Sequence, residues 1–528
     1  VPKFQIRQTP DCWIFKFGRP PCRNFKFGKP RLLDFQIRQV SVPKFQIRRH
    51  RPRTQRGAPS LPPKRTSMPS PGVVLLTVDC MRPDRLGCYG RAGSVTPRLD
   101  AWARHAALFT HCWAHASWTT PALFSIFTGT HPCTHAVTAR GGRWSALTEP
   151  APLLFRKLGW HVPSVSYLAV EPTYAQLGYS HNGAVDRTAS DLIECLRTLP
   201  DEPFFVWYHA YNLHLPYQVD ADKMTPRLRP LCSQHVIPVG SLPLTTADRD
   251  AVLALYDAQL AAFDEVFASI VEALRARGRY HDTVLILTAD HGDELLEHGW
   301  IGHSSTAERA TLHEEVLRVP LVMSAPRWLG EGHVSHQPAR HIDVLPTLLH
   351  IVAARGPENW LVNHPNNLDQ PLPWLEGRSL WPALNGVTLP AVPIYAETSP
   401  AGFRTVPGDE VLRHRSLLSG GWKLIETPDG ARLYDLRTDP GELHDRSASE
   451  LGEVARLLAE LDSVQTRWEL PRRDVGTPDG YEVEYRWRPS GGRKFYRGLL
   501  YLEEPTPPPR WAEMVGELTW RLWPRGPA

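Results

Sequence analysis

A chain of 528 residues with 42% hydrophobic residues exceeds one ordinary core and can furnish a large α/β domain with smaller pieces attached. Its formal charge of +5 is unevenly spread: residues 1–67 hold 17 Lys and Arg against 2 Asp and Glu, and the remaining 461 residues are net acidic at −10, so a nucleic-acid reading would rest on this leader alone. No apolar run approaches the ~18 residues of a spanning helix and no signal-peptide pattern is visible, while eight scattered cysteines without a CxxC pair indicate neither a zinc ribbon nor a disulfide scaffold. Reduced thiols and a cytoplasmic location are therefore expected, with no membrane partner.

The leader does not read as a domain. VPKFQIRQ at 1–8 recurs as VPKFQIRR at 42–49, and FKFGRP at 15–20 recurs as FKFGKP at 25–30. These repeats are short, basic and irregularly spaced, without a solenoid period. Residues 50–71 are rich in Arg, Pro and Ser, which build no core. Met68 stands immediately before the first strand pattern, and the expectation is that translation begins there; the competing reading is a basic arm for an acidic partner.

VVLLTVD at 73–79 is a continuous apolar run ending in Asp79, the mark of a strand buried on both faces. FFVWYH at 204–209, TVLILTAD at 283–290 and VPLVM at 319–323 repeat the pattern. Between them, 248–277 places Val252, Leu255, Tyr256, Leu260, Phe263, Phe267, Ile270, Val271 and Leu274 on one helical stripe. Alternating strands and helices predict a mostly parallel sheet covered on both faces, with ligands at the carboxyl ends of its strands. Asp79 and Asp290 both occupy such ends. Residues 357–377 read as loop. PIYAE (393–397), GWKLIE (421–426), ARLYDL (431–436) and a helix over 448–469 then predict a smaller α+β subdomain. The predicted organisation is thus a leader to 67, a catalytic domain over 68–385, a C-terminal α+β subdomain over 386–470 and an unplaced tail over 471–528.

Three stretches carry chemistry. In TADHGDELLEHGWIGHSS (288–305), Asp290 and His291 leave a strand together and Gly292 offers a sharp turn. A carboxylate beside an imidazole suits Mn²⁺ or Zn²⁺, or Ca²⁺ where oxygens dominate. An isolated Asp-His-Gly would be read as a helix cap; the equivalent strand-end Asp79 shifts the balance to a shared metal site. In SWTTPALFSIFTGTHP (117–132), Thr119 opens an apolar helix, either as a capping hydroxyl or as a nucleophile favoured by the helix dipole and a metal. In FFVWYHAYNLHLPY (204–217), His209 and His214 follow a strand, and His303 lies beyond the Asp-His-Gly.

In order, these pieces resemble the sulfatase family of the alkaline phosphatase superfamily. VVLLTVDCMRPDRLGCYG (73–90), TPRLDAWARHAALFTHCWA (96–114), LHEEVLRVPLV (312–322), RHIDVLPTLL (340–349) and ARLYDLRTDPGELHD (431–445) continue the likeness over roughly 73–450. The resemblance implies a three-layer α/β/α sandwich and a metal-dependent hydrolase of small sulfate or phosphate esters. It implies metal ligation by Asp79, Asp290 and His291, and a nucleophile that also touches the metal at Thr119. His214 and His303 would contact the ester oxygens and assist the leaving group, with His209 in the same substrate shell.

The departures are specific. Many sulfatases carry Cys-x-Pro-x-Arg, whose cysteine becomes formylglycine; here the cysteine position is Thr119 and the arginine position Leu123, and no Cys- or Ser-x-Pro-x-Arg occurs anywhere. Threonine nucleophiles are, by resemblance, characteristic of phosphate- and phosphonate-ester members. The neighbour of Asp79, an acid in many sulfatases, is Cys80, a poor ligand for a hard cation. No Asp is followed four residues later by His, the pair that two-zinc relatives use, so one metal is expected. The alternatives are a phosphoryl or sulfuryl transferase on the same fold and a binding protein that has lost turnover. Substrate and oligomeric state are not legible.

Overall fold

The computed structural model describes residues 7–9, 12–14, 70–138, 144–145, 148–179, 188–234, 244–303, 311–329, 332–355, 372, 374–399, 414–473, 481–489, 496–502 and 516–524. Most of the leader, of the 357–377 stretch and of the tail lies outside them. The chain divides into two compact units, Val1–Met68 and Pro69–Ala528. In the first, Arg7–Thr9 pairs antiparallel with Cys12–Ile14.

The second unit is built on one mixed sheet. In chain order its main strands are β1 (Gly72–Val78), β2 (Ala107–Trp113), β3 (Phe204–Ala210), β4 (Thr283–Ala289) and β5 (Arg318–Ser324), followed by the two-residue β6 (Val334–Ser335) and β7 (Ala339–Arg340). The spatial order is β6-β2-β5-β4-β1-β3, with β7 also on β2. β1 lies between β3 and β4 and pairs parallel with both. β5 alone runs against the others, antiparallel to β2 and β4. Every residue of β1, β3 and β4 is buried, so water reaches neither face, as their unbroken apolar runs require. The α/β architecture with a mostly parallel sheet is therefore as expected. β2 was not recognised as a strand in the sequence, because its Thr110-His111 pair interrupts the apolar run; both are half-buried beside a register shift between Phe109 and Cys112.

The long helix over Arg249–Ala276 buries the predicted stripe from Val252 to Leu274. Beyond the sheet, β8 (Ile394–Thr398), β9 (His414–Ser419), β10 (Trp422–Thr427) and β11 (Gly430–Asp435) form an antiparallel meander. The helix Leu451–Arg473 covers it, with Leu457 and Leu461 packed among Tyr395, Leu417, Leu424 and Leu433. β9 was missed in the sequence: its HRSLLS alternation is too short to separate from loop. In the tail, Tyr481–Pro489 pairs antiparallel with both Tyr496–Leu502 and Gly516–Pro524. No described helix is long and apolar enough to cross a membrane.

Candidate active site

The three central strands deliver their polar residues to one place. β1 ends into Asp79, β3 carries His209 as its penultimate residue, and β4 ends into Asp290 and His291. Because β3 and β4 flank β1 in parallel register, residues far apart in the sequence meet without any loop having to reach. His209 Nε2 lies 3.2 Å from Asp79 Oδ2 and 3.8 Å from Asp290 Oδ2. His291 Nε2 lies 3.2 Å from Asp290 Oδ2 and 3.7 Å from Asp79 Oδ1. Thr119 Oγ1 stands 3.5 Å from the same His291 nitrogen. The other His291 nitrogen donates to Gly292 O at 2.8 Å, which turns Nε2 toward the carboxylates.

Thr119 is the first residue of a buried helix, Thr119–Thr128, whose cap position is Trp118 with no side-chain capping bond. The capping reading of Thr119 therefore fails: its hydroxyl faces His291 instead of closing a helix end. Gly292 is also explained differently from expectation. Its φ is not left-handed; a Cβ there would lie 2.1 Å from Glu315 O, so glycine is needed for close approach rather than for the turn.

The remaining histidines surround this centre. The His303 ring lies 4.2 Å from His291 and 5.0 Å from His214, centroid to centroid. Asp293 Oδ1 meets His303 Nδ1 at 2.8 Å. His214 hydrogen-bonds the Leu215 carbonyl and stacks on Tyr211 at 4.3 Å. His209 is held from behind: Thr77 Oγ1 meets its Nδ1 at 2.8 Å, and Trp207 Nε1 donates to that hydroxyl at 3.0 Å. All seven residues named from the sequence are thus brought together. His209 lies between the two aspartates.

Two further neighbours stand here: Asp293, which was missed, and Cys80, marked in the sequence as the residue after Asp79. Asp293 carries no signal beyond being an acid after a glycine. Cys80 adopts φ +63°, rare for a side-chain-bearing residue, and so folds its thiol back toward Asp79 Oδ1 at 3.1 Å, with His303 Nδ1 at 3.5 Å. Burial, reinforced by Asp293, Asp79 and Asp290, pushes that thiol well above its usual range, so it stays protonated and donates.

Burial pulls His214 down to about 4 and His303 down to about 3, so both rings are neutral near pH 7. Burial likewise disfavours charge on His291, but Asp290 and Asp79 outweigh it and raise the ring to about 9. Burial raises Asp293 to about 7. Asp79 goes the other way: burial opposes its charge, but His214, His209 and His291 outweigh burial and hold it well below the usual carboxylate range.

The donor set fits a divalent cation. Asp79 and Asp290 are withdrawn from water side by side, and the single imidazole cation of His291 offsets only one of the two carboxylates. Asp290 Oδ2 is buried and makes no aligned hydrogen bond among the described residues. Ligand atoms of Asp79, His209 and Asp290 lie within 4.8 Å of one another, as do those of Asp79, Cys80, His291 and His303.

Comparison with known proteins agrees with this geometry. The chain is 28% identical to choline-sulfatase of Rhizobium meliloti over 42% of its length and 38% of that protein. It is 24% identical to Arylsulfatase K of Xenopus laevis over 62% of each, so it spans about two fifths to three fifths of these relatives. Human Arylsulfatase A is 24% identical over 75% of this chain and 87% of that protein. Among solved structures, the phosphonate monoester hydrolase of Agrobacterium radiobacter superposes with a TM-score of 0.59 at 21% identity, covering 76% of this chain and 96% of that one. The 2-O GAG sulfatase BT1596 gives 0.59 at 17% identity, over 77% and 94%. These likenesses show the fold. The Sulfatase family profile matches residues 71–156 and 160–354, more than half of the chain, and with the strand-end aspartates and the Asp-His-Gly in place the protein belongs to the sulfatase family.

Proposed function

We propose that this protein is a metal-dependent hydrolase of small sulfate, phosphate or phosphonate esters, with Thr119 as nucleophile and Asp79, Asp290 and His291 as the ligands of a single divalent ion that Thr119 also touches. The observation that carries the reading is the convergence of a helix-opening hydroxyl on two buried carboxylates and an imidazole at the ends of parallel strands. A bound ion would supply positive charge that lowers the pKa of a neighbouring hydroxyl and offsets charge on the ester oxygens.

The chain's own residues do the rest. The α-helix opening at Thr119 fixes the hydroxyl near His291 and adds a favourable dipole for an oxyanion. In-line attack by Thr119 Oγ1 on sulfur or phosphorus forms a bond to the threonine oxygen and breaks the bond to the leaving alcohol. His303, oriented by Asp293, and His214, oriented by the Leu215 carbonyl, are neutral and so can take up the proton that Thr119 loses and pass it to the leaving alcohol. Water then releases the sulfate or phosphate from Thr119. The family name favours sulfate esters, while the threonine favours phosphate or phosphonate esters.

A panel of aryl sulfate, phosphate monoester, phosphodiester and phosphonate substrates, each with Ca²⁺, Mn²⁺ and Zn²⁺, tests the reading. Turnover of at least one class is expected, abolished by chelation and by Thr119→Ala. Turnover that survives both would overturn it, and discharge of a Thr119 adduct to an added alcohol in preference to water would identify a transferase.

A further inference from the structure

A second group of ligand-type side chains lies in the same unit, next to but apart from Asp79 and Asp290. Glu294 opens a two-residue strand, Glu294–Leu295, that pairs with Ile301–Gly302, and His298 lies in the turn between them. His313 and Glu315 come from the segment leading into β5, and Glu442 from the loop after β11. Ligand atoms of Glu294, His298 and His313 lie within 4.8 Å of one another, and so do those of His298, Glu315 and Glu442. His313 Nδ1 meets Glu294 Oε1 at 2.8 Å and His298 Nε2 meets Glu315 Oε2 at 3.2 Å.

Four carboxylates crowd this group, and burial, with Glu315 beside it, raises Glu294 to about 8. Glu294, Glu314, Glu315 and Glu442 are packed together; among the described residues Lys423 Nζ reaches Glu314, at 2.8 Å, and Glu442, at 2.9 Å, while the charge of Arg82 acts on Glu294 and Glu315. Arg318 stands 4.0 Å from Glu314. The second oxygen of Glu294 is buried with no hydrogen-bond partner among the described residues; the side chain is 1% exposed and its carboxylate is turned to the cluster by His313. Protonating both histidines would not solve this, because their rings stack with centroids 3.8 Å apart and two imidazoliums at that distance repel. A divalent ion held by neutral imidazoles and carboxylates would remove the excess charge and employ the orphaned oxygen.

We propose that Glu294, His298 and His313, with Glu315 and Glu442 beside them, form a second metal site, for a borderline divalent ion of the zinc class. Two imidazoles with carboxylates select Zn²⁺ over Ca²⁺ or Mg²⁺, which prefer oxygen shells. The site ties the hairpin that leads to His303 to the segment before β5 and to the loop after β11. Its role is to clamp, since the ligands themselves come from three separate segments.

The test uses the full-length chain, stripped with a chelator, reloaded with zinc and freed of excess ion. Crystals of the unsubstituted chain should show an anomalous peak at the zinc edge between His298 and His313. In solution, the variant carrying His298→Gln and His313→Gln should hold one equivalent of zinc per chain fewer than the parent. Asp290→Ala should leave the peak at His298 and His313 in place, which separates this site from the Asp79–Asp290 centre. Absence of the peak in the unsubstituted chain overturns the proposal even if the double variant fails to fold. A peak accompanied by equal zinc content in parent and double variant also overturns it, as an adventitious ion only.

Discussion

Replacing Thr119 by alanine separates catalysis from stability. The helix start is closed by Trp118 without a side-chain cap, so the usual cost of losing a cap, about 0.5–2 kcal/mol, does not apply. Thr119 is 9% exposed, and removing its methyl forfeits about 0.8 kcal/mol of burial, while alanine regains up to about 0.7 kcal/mol of helix propensity over threonine. These offset one another, and the melting temperature should move by no more than about 2–4 °C. Loss of the attacking oxygen has no such compensation. kcat should fall by about a thousandfold or more, or roughly 4 kcal/mol of activation free energy. Thr119→Ser keeps the hydroxyl and should retain a substantial part of the rate. Paired thermal melts and initial-rate assays on the cleaved ester, with bound metal quantified, decide the matter. A destabilised but fully active alanine variant would refute the reasoning and return Thr119 to a structural role.

Asp290→Ala should abolish metal retention at the Asp79–Asp290 centre and turnover together, checked by elemental analysis alongside activity; unchanged metal there with lost activity would contradict the ligand assignment. Gly292→Ala should destabilise by about 1–3 kcal/mol or more, since its Cβ would sit 2.1 Å from Glu315 O against backbone that cannot swing away; denaturant titration measures this. Acid should weaken the fold through His115, which burial, with His131 and Arg340, holds well below its ordinary value of 6.5. Its folded form stays neutral while the unfolded chain takes up a proton, so this contribution is present above about pH 6.5 and is lost as pH falls below it. His115→Asn should flatten the fall of the melting temperature over that acid range, and an unchanged slope would count against it.

The sequence by itself carried the elements whose signal is local. Continuous apolar runs at 73–78, 204–208 and 283–289 require strands hidden on both faces, and the Val252-to-Leu274 stripe requires a helix against them. Asp79, Asp290 and His291 were legible because each follows such a run, at the strand ends where open α/β sheets bind ligands. What the sequence did not carry was neighbourhood across the chain. That His209 lies between Asp79 and Asp290 follows from β3 and β4 flanking β1, a strand order no local spacing records. Asp293 acquires meaning only where the hairpin returns His303 to it. Glu294, His313 and Glu442 are ordinary surface-type residues by composition, and only the packing of three distant segments buries them together. Periodicity encodes which face of an element avoids water; which charges then meet in the dry interior is decided by the order in which those elements pack.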